Sequence, residues 1–188
     1  MPPKVRITKE DIIRAALETV RRGGADSANA REIAKMLGCS TQPVFSNFRT
    51  MEELRAALLK TADALYQEYI DQEIASGKYP AYKASGMAYI RFAGEEKELF
   101  KLLFMRDRSH EGEQPETEET KKIVAVVQAS TGLSGDKAEL FHLEMWAFVH
   151  GIAVMTATDY LKLEPELVSE MLTDAYQGMK KRYASKEE

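Results

Sequence analysis

Three residues, Gly38-Cys39-Ser40, separate two short segments of helical apolar spacing and limit the architecture of this chain more than any other feature. Ile33, Ala34 and Leu37 mark the apolar edge before the break, and Val44, Phe45 and Phe48 mark the edge after it. Glycine can adopt the left-handed backbone that ends a helix, and Ser40 is expected to cap the next one. Ala34, Gly38 and Val44 stand in register as a small residue for close crossing, a turn, and a β-branched residue that locks the second helix onto the first. The pattern predicts a helix-turn-helix whose second helix is free to enter a major groove. Any helical hairpin can show one of these features; the combination is what points to DNA.

The flanking segments extend the prediction. Thr8 is placed to cap a helix, with Glu10 and Asp11 in its first turn and Gly23-Gly24 at its end. Asn29 and Glu32 are spaced as a capping box for the second helix. Pro43 falls in the first turn of the third, where its missing N–H is not needed. Thr50, followed by Glu52 and Glu53, starts a long fourth helix to about Ser76, and Gly77-Lys78-Tyr79-Pro80 breaks it. Helices are then expected over 80–95, 97–106, 116–130, 136–158 and 165–183, with an exposed loop over 107–116 and a solvated acidic run Glu111–Glu119. No segment alternates like a strand. The expected fold is all-α with about nine helices: a three-helix DNA-binding domain over 1–50, then a helical ligand-binding and dimerisation domain over 51–188.

Charge divides at the same place. Residues 1–50 carry nine Lys or Arg against five acids, a net +4, so the other 138 residues sum to −8 in a chain of net charge −4. A basic head on an acidic body suits a DNA-binding unit joined to a regulatory one. Lys4 and Arg6, on an arm without helical period, could reach a phosphate or a minor groove. No uninterrupted apolar run approaches a membrane span, the N-terminal residues lack a signal peptide's apolar core, and a single cysteine, Cys39, fits a reducing compartment. The expected location is the cytoplasm, with no membrane partner.

Among candidate contacts, Thr41, Gln42, Pro43, Ser46 and Asn47 form the surface expected to face base edges, where Asn and Gln can bind adenine with two hydrogen bonds. Arg31, Lys35 and Arg49 are placed for phosphates, which give affinity and salt dependence without sequence reading. His142, Trp146 and His150 recur every four residues, but no further ligand stands at a telling spacing, so neither a metal nor a cofactor is expected. Cys39 reads as a packed residue rather than a redox sensor. Gly151 is small enough to admit a neighbouring helix. No glycine-rich phosphate loop, nucleophile elbow or HExxH is present, so an enzyme is not expected.

With these residues in view, the chain resembles the TetR family of transcriptional regulators. Over 8–55 the first helix, REIAKMLGCS and F-x-x-M-E-E-L fall in the family's order. Trp146-Ala-Phe-Val-His150-Gly151 resembles the W-x-x-x-H-G signature of one subset, as does F-A-x-E-x-x-E-L-F at 92–100. Four positions depart from the pattern: Phe45 replaces a usual tyrosine, Met51 a lysine, Asn47 a common histidine and Gln42 a glycine. The resemblance adds Ser40 and Phe45 to the phosphate contacts.

The resemblance also implies a homodimer through the last two helices, for which Val149, Ala153, Val168, Met171, Leu172, Ala175, Tyr176 and Met179 are the candidates. It implies a pocket for a small apolar or aromatic effector that weakens DNA binding. Tyr89, Phe92, Phe100, Phe104, Met105, Met145, Trp146 and His150 are its candidate lining, with Phe141 and Met155 nearby in sequence. Such a protein is a ligand-responsive regulator, expected to act as a repressor on a near-palindromic double-stranded operator. Two rivals remain at this point: a helical protein-binding adaptor with a vestigial DNA head, and a small helical enzyme using the C-terminal cavity.

Overall fold

Thr8 opens the first helix by a reciprocal cap. Its hydroxyl accepts from the Asp11 N–H at 3.1 Å, while Asp11 Oδ2 accepts from the Thr8 N–H at 3.1 Å. The carboxylate's bond from the Thr8 N–H, then a second from the Thr8 hydroxyl at 2.9 Å, hold the Asp11 pKa below its ordinary value. The computed structural model describes residues 7–109 and 118–185, and among these residues the chain is all-helical. The helices are α1 (Lys9–Gly23), α2 (Ala30–Met36), α3 (Gln42–Asn47), α4 (Met51–Ala75) and α5 (Ala81–Glu95), then α6 (Lys97–Phe104), α7 (Glu118–Thr131), α8 (Asp136–Ala157) and α9 (Pro165–Ala184). A 3₁₀ turn, Ala25–Ser27, joins α1 to α2. Lys4, Arg6 and positions 111–117 of the acidic run lie outside the described residues, and Glu118 opens α7.

The chain packs as two compact units. The first comprises residues up to 67 together with 96–106, and the second comprises 68–95 with 107–188. In the first unit α1 packs on α2, α3 and α6. Ile12, Ala16 and Val20 of α1 are fully buried there, as are Ile33, Val44, Leu54, Leu99 and Phe100. Each such side chain contributes roughly 1.5–3 kcal/mol by leaving water. By packing, therefore, residues 51–67 and α6 group with the head.

The turn after α2 closes as a two-bond left-handed cap. Cys39 N–H donates to Ala34 O at 3.0 Å, Gly38 N–H donates to Lys35 O at 3.2 Å, and Gly38 has φ +64°. A Cβ on Gly38 would meet nothing within 4 Å, so the glycine is required by the backbone angle and not by space. Two capping expectations are corrected. Thr41, not Ser40, is the residue preceding α3, and its side chain makes no cap. Asn29 does cap α2, accepting from the N–H groups of Arg31 and Glu32, but Glu32 does not reciprocate. The Asn29 N–H is already bonded to Ser27 O at 2.8 Å, and Glu32 stands 3.8 Å from Lys35 instead.

In the second unit α5 and α8 form the main pair. Tyr82 meets His142 and, two turns on, Tyr89 meets His150, so the two helices run in the same direction. Gly86 permits the approach, since a Cβ there would sit 3.3 Å from Leu172 Cδ1 and 3.5 Å from Val149 Cγ2. Val124, Val127, Leu133, Phe141, Met145 and Tyr183 form a core that joins α7, α8 and α9. Arg182 closes the end of α9 with bonds of 2.7 and 2.6 Å to the Glu144 carboxylate on α8.

Candidate nucleic-acid interface and effector core

α3 rests on Val44, which is fully buried, and turns Gln42, Phe45 and Ser46 outward. All five candidate base readers lie at the surface: Gln42 and Ser46 exposed, and Thr41, Pro43 and Asn47 half-buried. Their chemistry differs. The Ser46 hydroxyl donates to Gln42 O at 2.9 Å, and the Asn47 amide donates to Pro43 O at 2.8 Å. One Asn47 N–H is thus engaged by its own helix, whereas Gln42 is the better placed of the two amides for a paired bond to adenine.

The five candidate phosphate contacts, Arg31, Lys35, Ser40, Phe45 and Arg49, are all exposed. Lys35 stands 3.8 Å from Glu32 and Arg49 stands 4.0 Å from Glu53. Ion pairs this long on open surface contribute little, so phosphate can compete for both cations. Glu53, expected from the sequence only as an acid in the first turn of α4, ties this surface together. Its carboxylate accepts from the Arg49 N–H at 2.9 Å and from Lys9 at 3.1 Å, with Lys9 lying 4.5 Å from the centre of the Phe48 ring. The Arg49 backbone bond, then Lys9, hold the Glu53 pKa below its ordinary value. Its spacing after Thr50, whose hydroxyl accepts from the Glu53 N–H at 3.2 Å, was the available signal.

The candidate effector residues divide between the units. Phe100, Phe104 and Met105 belong to the first, where Phe100 is buried, Phe104 packs edge-on against Tyr66 at 5.2 Å, and Met105 is exposed. Tyr89, Phe92, Met145, Trp146 and His150 belong to the second. There Tyr89 Oη lies 2.9 Å from His150 Nδ1, and Trp146 stacks on the His150 ring at 5.0 Å and 13°. Phe92 is fully buried and meets Tyr69 edge-on at 5.2 Å. Met145 and Phe141 belong to the core with α7 and α9, and Met155 is half-buried.

Tyr82, absent from the sequence-based candidates, makes the parallel contact: its hydroxyl lies 3.1 Å from His142 Nδ1. Tyrosines seven apart on one helix and histidines eight apart on another were the readable sign. Burial depresses the pKa of both histidines and pushes the Tyr82 phenol well above its ordinary value. Both members of the Tyr82–His142 pair are therefore neutral near pH 7. Among the described residues no three His, Cys, Asp or Glu side chains converge as a metal site.

Against known families, residues 82–176, just over half of the chain, match the tetracyclin repressor-like C-terminal domain. The chain belongs to the TetR family. Solved structures agree with a TetR fold. A TetR-like transcriptional regulator from Rhodococcus sp. RHA1 superposes with a TM-score of 0.70 at 16% identity, covering 95% of this chain and 98% of the other. A protein of unknown function from the same organism gives 0.69 at 20% identity, covering 96% and 98%. The multidrug binding protein EbrR, complexed with imidazole, gives 0.56 at 16% identity, covering 89% and 93%. No curated protein matches the sequence.

Within the TetR fold the candidate dimer residues fall mostly inward. Val149, Ala153, Val168 and Leu172 are buried in their own chain, and Ala175, Tyr176 and Met179 pack on its core; Met171 is half-buried. The open apolar surface of α8 is instead Leu140, Leu143, Trp146 and Ala147, continued by Gly151. A Cβ on Gly151 would meet nothing within 4 Å among the described residues, so none of them packs closely against it.

Proposed function

We propose that this TetR chain is a ligand-responsive repressor that binds a near-palindromic operator in double-stranded DNA as a homodimer. A small apolar or aromatic effector releases it. The functional division is residues 1–50 for DNA and 51–188 for effector and dimer, and the protein works in the cytoplasm. The observation that carries the reading is α3 itself: anchored by a fully buried Val44, it presents Gln42, Phe45 and Ser46 to solvent between weakly held cations.

Dimerisation through the outer face of α8 fits the exposed Leu140 and Leu143, whose aliphatic chains are more stable covered than wet. The Tyr89–His150–Trp146 group supplies a planar stack and a hydrogen-bonding pair, which suits a flat effector with one polar atom. Release needs only that the effector favour a conformation in which the two heads no longer match the operator; 100-fold preference shifts the balance by about 2.7 kcal/mol.

A gel-shift of the purified chain against the DNA upstream of its own gene tests the proposal. A specific complex that weakens with salt, and weakens for every sequence when Lys35 and Arg49 are changed to Ala, is the expected result. An unshifted promoter, or a complex indifferent to those substitutions, would count against it.

A further inference from the structure

Phe45 is 53% exposed, whereas Phe48 and Phe100 of the same unit are buried and Phe104 is half-buried. On a helix of 3.6 residues per turn it lies about 100° around from the anchoring Val44, while Gln42 and Ser46 lie about 160° away. Phe45 is therefore on the flank of the outward face, where a helix in a major groove meets the wall of the groove. The ring has no charge or hydrogen-bonding atom, so set against a phosphate it would strip water from an oxyanion and give nothing back. The one apolar group on a base edge in the major groove is the 5-methyl of thymine, which sits toward that wall, and phenylalanine is among the side chains that contact it.

We infer that Phe45 is a specificity-determining residue that reads a thymine methyl in each half-site. This rests on the DNA-binding reading above and replaces the phosphate role for Phe45 with a base contact. Beside it the Ser46 hydroxyl and one of the two Asn47 N–H donors are engaged by helix carbonyls. The flank thus discriminates by a methyl group, while Gln42 supplies the polar contact.

The test takes the full chain and an operator selected from random duplexes, then changes each thymine singly to uracil, which removes only the methyl. One symmetry-related pair of thymines is expected to matter, each change weakening wild-type binding about four-fold. Phe45→Ala should bind the thymine and uracil duplexes equally, and Phe45→Leu should keep part of the discrimination. Methyl dependence at no thymine, or dependence that survives in Phe45→Ala, overturns the inference and leaves the DNA reading standing. Selection that yields no preferred sequence overturns both.

Discussion

Arg21 of α1 and Glu96, the residue between α5 and α6, face each other in a two-pronged ion pair. Arg21 Nε lies 2.8 Å from Oε2 and NH2 lies 2.7 Å from Oε1. The Glu96 side chain is 14% exposed, so this pair is better shielded than most surface pairs. It fastens α6 to α1 beside the helix-turn-helix. Glu96→Ala should lower stability by about 1–2 kcal/mol. Arg21→Ala should match it, and the double variant should fall short of the sum. Denaturant melts of the four proteins check this; strict additivity would mean the pair is idle.

The proposed function separates two kinds of DNA contact in the head. Lys35→Ala or Arg49→Ala should weaken binding to all duplexes alike and lower the salt slope by roughly one per site. Gln42→Ala should instead relax preference at one base pair, by about 1–3 kcal/mol. Salt titrations on matched and mismatched duplexes distinguish the two. A Gln42→Ala variant with unchanged preference would remove Gln42 from the readout.

The turn makes a prediction about backbone alone. Gly38 has φ +64° and open space around it, so Gly38→Ala should cost about 1–2 kcal/mol without any clash. Gly38→Asn should recover part of that, because Asn tolerates the left-handed region better. Equal melts for wild type, Ala and Asn would show that the turn relaxes.

The Tyr–His pairs predict a pH response. Both histidine pKa values are lowered in the fold by burial, so the unfolded chain binds more protons than the folded one below the ordinary value of 6.5. Their contribution to stability is therefore complete above that value and is lost as pH falls through it toward the depressed folded values. Melting temperature should drop from pH 7 to pH 5, and the His142→Gln, His150→Gln double variant should flatten this drop. Asp11 and Glu53, whose pKa values are also lowered, titrate below this window. An unaltered pH slope in the variant would assign the response elsewhere.

Core and proposed interface can be told apart on neighbouring helices. Leu143 is 56% exposed on α8 and Leu172 is 3% exposed on α9. Leu143→Glu should yield a folded monomer, whereas Leu172→Glu should abolish folding by burying an unpaired charge. Size-exclusion chromatography with far-ultraviolet circular dichroism decides. A dimeric Leu143→Glu protein would move the interface off this face.

Element boundaries were legible in the sequence wherever the signal is local. Thr8 with Asp11, the paired glycines ending α1, and Pro165 in the first turn of α9 each act within a few residues. The misread caps, Ser40 and Glu32, were settled by backbone partners that no residue type announces. The apolar stripe of Val168, Leu172 and Ala175 was visible, but periodicity says only that a face is covered, not by which neighbour. α8 is apolar on both sides, so its inward Val149 and outward Leu143 read alike. Likewise Phe100 and Trp146 share an aromatic character that conceals their separation into different packing units.

A helix pair pinned at one point can swivel. The rungs Tyr82–His142 and Tyr89–His150 pin α5 to α8 at two points roughly 10 Å apart, at 1.5 Å of rise per residue. Sliding one helix past the other by a turn would unlatch both rungs at once, with no halfway position. Two rungs at this spacing therefore oppose both swivel and sliding of α5 on α8, which a single contact would not.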